Sequence, residues 1–91
     1  MKATRVYYKK QRYAGGIVEM VVWRLPALEV NRSHGYKYRL VFVRDGRRVL
    51  GYDNERGKGD HKHYGEQEEP YRFVDVPTLL RDFWKDVRRL K

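Results

Sequence analysis

The chain has no cysteine, so disulfides, thiolate metal sites and cysteine nucleophiles are all excluded, and a small cross-linked secreted fold is disfavoured. No apolar run approaches the roughly 20 residues that a membrane helix needs. The first ten residues are charged and no apolar signal core follows them, so a cytoplasmic protein without a membrane partner is expected. The sequence has no internal repeat. At 91 residues it is too short for two separate cores, and residues 1–91 are read as a single domain.

Positive charge is what the chain has in excess. It carries 21 Lys and Arg against 12 Asp and Glu, a formal charge of +9. Twelve basic and three acidic side chains lie in residues 1–50 and nine of each in 51–91, so the first half holds the whole surplus. Such a segregated field attracts phosphate chains and acidic proteins alike.

Periodicity then predicts the elements. Arg5 to Lys10 reads as a strand, closed by Ala14, Gly15 and Gly16 as a turn, and Ile17 to Leu25 reads as a central strand ended by Pro26. Asp45–Gly46 between Tyr36–Arg44 and Arg47–Asp53 predicts a two-residue hairpin. A regular register from that turn places Tyr36, Tyr38, Leu40, Phe42 and Val49 on an apolar face, with Asp53 at its end. Lys37, Arg39, Arg48 and Tyr52 then share the other face with Val41, Val43 and Leu50. From Asp75 the period becomes helical: Leu79, Leu80, Phe83, Trp84, Val87 and Leu90 form one stripe, with Asp75 as N-cap and Pro77 in the first turn. The expected fold class is α+β, an antiparallel sheet of about four strands with one C-terminal amphipathic helix packed on one face.

The chemistry concentrates in Gly51–His63, GYDNERGKGDHKH. Gly57 and Gly59 flank Lys58, an arrangement that lets backbone approach a phosphate while an ammonium supplies charge; the other residues of a nucleotide-binding loop are missing. His61 and His63 are two apart, so an extended backbone puts both imidazoles on one face, about 6 to 7 Å apart at Cα. One can take the ribose 2′-hydroxyl proton while the other protonates the leaving 5′-oxygen, with Lys58 or Arg56 stabilising the charged phosphorus centre. This metal-independent chemistry is favoured and no cofactor is expected. The other arrangement open to the pair is a divalent metal held by His61 and His63 with Asp53 or Asp60, and the plain reading is two surface histidines. Asp53 and Glu55 stand ready to orient a histidine or neutralise Arg56 and Lys58. His34 reads as an isolated loop residue, and Glu66 to Glu69 as a solvated loop whose negative charge opposes RNA binding unless it points away.

The candidate catalytic residues are thus Asp53, Lys58, His61 and His63. The candidate RNA-binding residues are Lys37, Arg39, Arg48, Tyr52 and Arg56. The competing function is a non-catalytic basic module that binds nucleic acid or an acidic protein. A third reading is assembly through edge strands, where the lysines of the first strand argue against open-ended pairing and a closed homodimer is compatible.

Gly51 through His63, together with Met1, Lys2 and Ala3, His34 to Tyr38, Pro70, Tyr71, Phe73, Asp82, Phe83 and Asp86, resembles the TumE-like proteins, the toxin half of bacterial toxin–antitoxin pairs. The likeness covers most of the chain, and the long central motif is its specific part. It implies a small cytosolic protein that inhibits growth when free and is neutralised by an antitoxin with a helix-turn-helix DNA-binding domain. It does not bring a reaction or catalytic residues with it.

Overall fold

A computed structural model describes residues 3–26, 34–54 and 59–90. Six antiparallel strands follow one another across a single sheet: β1 (Thr4–Tyr13), β2 (Gly16–Arg24), β3 (Tyr36–Arg44), β4 (Arg47–Asp53), β5 (His61–Tyr64) and β6 (Gln67–Pro70). The helix α1 (Val76–Arg89) comes last. The α+β class is as expected, but the sheet has six strands, not about four. The extra pair is β5 and β6. A hairpin opened by Gly65, at φ 59°, turns the stretch read as a solvated loop back along the histidine strand.

Local chemistry accounts for the early hairpins. Ala14 and Gly15 both take positive φ, as do Asp45 and Gly46, which is the twist that two-residue hairpins require. Asp75 caps α1 by accepting from the Thr78 N–H at 2.8 Å, and Pro77 sits in the first turn where its missing N–H costs nothing.

The expected register fails at one residue. Arg44 pairs with Arg47 and Val43 with Arg48, but Phe42 then pairs with Leu50, leaving Val49 as an extra residue in β4. This bulge inverts the rest of the strand, because a slip of one residue exchanges the two faces. Leu50 and Tyr52 join the core under the helix, while Val49 is only partly buried. Asp53 moves to the opposite face. Its expected place at the end of the apolar face is therefore corrected, as is the exposed basic-face position of Tyr52.

The core lies between one face of the sheet and α1. Val18, Met20 and Val22 of β2 and Leu40 and Phe42 of β3 pack with Leu79, Phe83 and Val87 of the helix, all with no accessible surface. Each large side chain so buried contributes about 1.5 to 3 kcal/mol. The helix covers one face of the sheet and leaves the other open.

Candidate functional site on the open sheet face

Side chains of directly paired residues in adjacent strands point to the same side of a sheet. One transverse row of the open face therefore reads Arg39, Asp53, His61 and Pro70, and the next reads Val41, Gly51, His63 and Glu68. The pairing brings Asp53, His61, His63 and Glu68 together from three consecutive strands. His61 and His63 stand edge to face with ring centroids 4.8 Å apart.

His61 is the anchored member. Its residue surface is 6% exposed. Its Nδ1 lies 2.9 Å from the Gly59 carbonyl, which can only accept, so Nδ1 carries a proton and Nε2 is the nitrogen turned toward the carboxylates. That Nε2 lies 2.5 Å from Asp53 Oδ1 and 3.2 Å from Glu68 Oε2. The contact to Asp53 is close but not directed as a hydrogen bond: Asp53 Oδ1 is buried and accepts none among the described residues. His63 is half-buried, with Nε2 at 3.6 Å from Glu68 Oε2 and 3.9 Å from Asp53 Oδ2. Burial holds its pKa below the usual imidazole value, and the Arg48 guanidinium adds to the effect against the opposing pull of Asp53. Gly51 makes room for that guanidinium: a Cβ there would stand 3.0 Å from Arg48 Cδ.

Cations share the open face with the cluster. Lys37, Arg39 and Arg48 are exposed on this face as expected, and β1 extends it with Arg5, Lys10 and Arg12. Aromatic rings lie among them: Arg5 stacks over Tyr8 and Lys37 over Trp23, at 5.0 and 5.2 Å from the ring centroids.

Other expected site residues fall elsewhere. Lys58 and Arg56, with Glu55 and Gly57, lie outside the described residues. Tyr52 is 1% exposed on the helix side, where its hydroxyl donates to Asp86, so its ring has no face to offer a base. Asp60 does not join the histidine pair. It accepts from Tyr38 Oη at 2.7 Å and pairs with His34 Nε2 at 2.9 Å. His34 is no isolated loop residue: its ring stacks on Phe73 at 3.8 Å, and its Nδ1 accepts the Tyr36 N–H at 3.2 Å. Both its nitrogens are satisfied within the protein, which marks it as a structural clasp.

Glu68 is the member that sequence reading missed. The signal was available in principle, since Gly65 can turn a strand, and a hairpin there sets Glu68 opposite His63. A run of acids beside a glycine nevertheless looks the same whether it is a solvated loop or an edge strand.

No helix among the described residues is long and apolar enough to cross a membrane. No curated protein and no solved structure gives a significant match to the chain. A family model described as Toxin TumE does match, over residues 2–91, and the resemblance carried by the central motif thereby becomes an assignment: the chain belongs to the TumE toxin family.

Proposed function

We propose that this toxin acts on RNA as a small endoribonuclease, with the substrate lying across the open face of the sheet and the phosphodiester cut at the Asp53–His61–His63 cluster. The observation that carries the reading is the convergence of those three side chains, with Glu68, on a face that also exposes Lys37, Arg39 and Arg48. Arg39 and Arg48 flank the cluster and supply the positive potential that a phosphate chain seeks and that a developing charge on phosphorus needs. Tyr8 and Trp23 offer surfaces on which unpaired bases stack. Lys58, in the adjoining glycine-flanked segment, adds a further cation in this reading.

The site differs in one respect from a symmetrical acid–base pair. His61 turns Nδ1 to the Gly59 carbonyl and Nε2 to the Asp53 and Glu68 carboxylates, so neither nitrogen is aimed at a substrate lying over the open face. The cluster is read as acting as one unit rather than as two independent imidazoles.

The experiment is incubation of the free toxin with RNA, separated from its antitoxin. Cleavage is expected. His63→Ala should slow it by about 100-fold or more if the imidazole serves the chemical step. Arg39→Ala and Arg48→Ala should instead weaken binding and each lower the salt slope of single-strand affinity by about 0.7. Intact RNA bound with a normal salt slope would overturn the enzyme and leave a basic docking module, whose partner is then RNA or the antitoxin itself.

A further inference from the structure

We propose that Asp53, His61, His63 and Glu68 form a binding site for one divalent first-row transition ion, of the Zn²⁺, Co²⁺ or Mn²⁺ kind. The inference deepens the reading of this cluster as the chemical centre. It departs from the metal-free chemistry expected from sequence.

The orientation of His61 is the first argument. A metal-binding imidazole commonly gives its other N–H to a carbonyl or carboxylate, which sets the tautomer and aims the lone pair. His61 does this with the Gly59 carbonyl. The Nε2 so aimed lies 2.5 Å from the Asp53 carboxylate, a contact that sets acceptor against acceptor unless a cation, proton or metal ion, bridges the two. Asp53 Oδ1 meanwhile is buried without a hydrogen-bond donor among the described residues. His34 makes the contrast within the same molecule, because each of its nitrogens meets a protein partner.

Spacing is the second argument. Donors 2.0 to 2.1 Å from a tetrahedral ion lie about 3.4 Å from one another. In the cluster, His61 Nε2 is 3.2 Å from Glu68 Oε2, His63 Nε2 is 3.6 Å from the same oxygen, and His63 Nε2 is 3.9 Å from Asp53 Oδ2. To reach that spacing the His61–Asp53 contact has to open by about 1 Å and the 3.9 Å His63–Asp53 contact has to close by about half as much. The ligand atoms of Asp53, His61 and His63 all fall within 4.8 Å of one another. Adjacent strands of one sheet hold them at that spacing with little conformational entropy left to lose.

Donor chemistry selects the ion. Two imidazoles and two carboxylates suit borderline transition ions, whereas Mg²⁺ and Ca²⁺ prefer all-oxygen shells and soft ions prefer sulfur. Such an ion would bring Lewis acidity to a phosphate lying on the open face.

The test is titration of the full-length, chelator-stripped protein with Co²⁺ near neutral pH, followed by visible absorption, with Zn²⁺ as competitor. One ion per chain is expected, with the intense bands of a low-symmetry site that fade as Zn²⁺ displaces Co²⁺. His63→Ala and Asp53→Asn should each weaken binding by about 100-fold or more, beyond the loss caused by removing an outer-shell partner. Lys9→Ala, an exposed lysine of β1 outside the site, should leave it unchanged. Circular dichroism confirms that each variant is folded, and if Asp53→Asn is not, half-exposed His63→Ala decides alone. A wild-type protein that takes up neither ion, or a folded His63→Ala that binds as wild type does, overturns the site. The two proposals fail separately. Ion binding without RNA cleavage keeps the site and removes the nuclease, while cleavage by a protein that takes up neither ion keeps the nuclease and removes the site.

Discussion

Asp86 fastens the helix to the sheet through charge rather than through apolar contact, and its removal tests how much that fastening contributes. Its side chain is 7% exposed and receives the hydroxyls of Tyr52 and, at 2.8 Å, Tyr64, with Lys62 Nζ at 3.5 Å and the exposed Arg89 guanidinium at 3.3 Å. In Asp86→Ala the buried Tyr52 hydroxyl keeps only a long contact to the Asp82 carbonyl, at 3.4 Å. Leaving such a donor unpaired costs about 1 to 3 kcal/mol. Tyr64 and Lys62 are only half-buried and turn to water or Glu69 at about 0.5 kcal/mol each, and Arg89 contributes little. The total is about 3 kcal/mol, a fall of about 12 to 24 °C in Tm for a domain of this size. Urea unfolding followed by circular dichroism and by tryptophan fluorescence measures it. Tyr52→Phe alone should cost about 1 kcal/mol, and the double variant should cost about 1 kcal/mol less than the two together, because no orphaned hydroxyl remains. A loss under about 1 kcal/mol, or additive single effects, refutes the reasoning. Acid should reveal the same group. Burial acts to raise the Asp86 pKa, but the Tyr52 and Tyr64 hydroxyls and the Lys62 ammonium outweigh it and hold the carboxyl below the ordinary value of 3.8. The contribution is therefore present above about pH 4 and is lost as pH falls through the depressed pKa, a loss that Asp86→Ala should not show.

Two further outcomes follow from the packing. Burial, with hydrogen bonds to Asp60, Asp86 and Asp82 respectively, raises the phenols of Tyr38, Tyr52 and Tyr71 well above their usual 10.0. The stability they confer is complete below about pH 10 and falls as pH rises beyond it, so their ultraviolet ionisation should coincide with unfolding; separate, earlier ionisation would contradict their burial. Gly16→Ala would place a Cβ 2.5 Å from the Val43 carbonyl oxygen and 2.8 Å from the Phe42 ring. It should cost about 1 to 3 kcal/mol in urea unfolding, and an unchanged midpoint would mean that β2 and β3 sit farther apart than described.

Legibility in the sequence followed the range of the physics involved. The Asp45–Gly46 hairpin, β3, β4 and the capped helix were readable because each depends on residues within a few positions: positive φ at a turn, alternation along a strand, a carboxylate beside free amides. The bulge at Val49 was not, since nothing in RRVLGYD marks which residue drops out of pairing. That choice is made by the helix, which covers Leu50 and Tyr52 and leaves Asp53 to the other face. Strand β6 escaped for a related reason. Its residues are all exposed, so no apolar alternation distinguishes it from a loop.

The candidate site divides along the same line. A spacing of two between His61 and His63 was enough to place both rings on one side of any extended segment, and the positive first half was enough to predict a basic surface beside them. Which acids would meet those rings depended on strand pairing across the chain: Asp53 through the inverted end of β4, Glu68 through the hairpin at Gly65, while Asp60, one residue away from His61, was drawn off to His34 and Tyr38. By itself the sequence determined β1 to β4, the helix and the residue types available for chemistry, because propensity and periodicity act locally. The tertiary structure alone decided which of them share a face, because a one-residue change of register inverts a strand and only packing of the whole sheet against its helix selects the register.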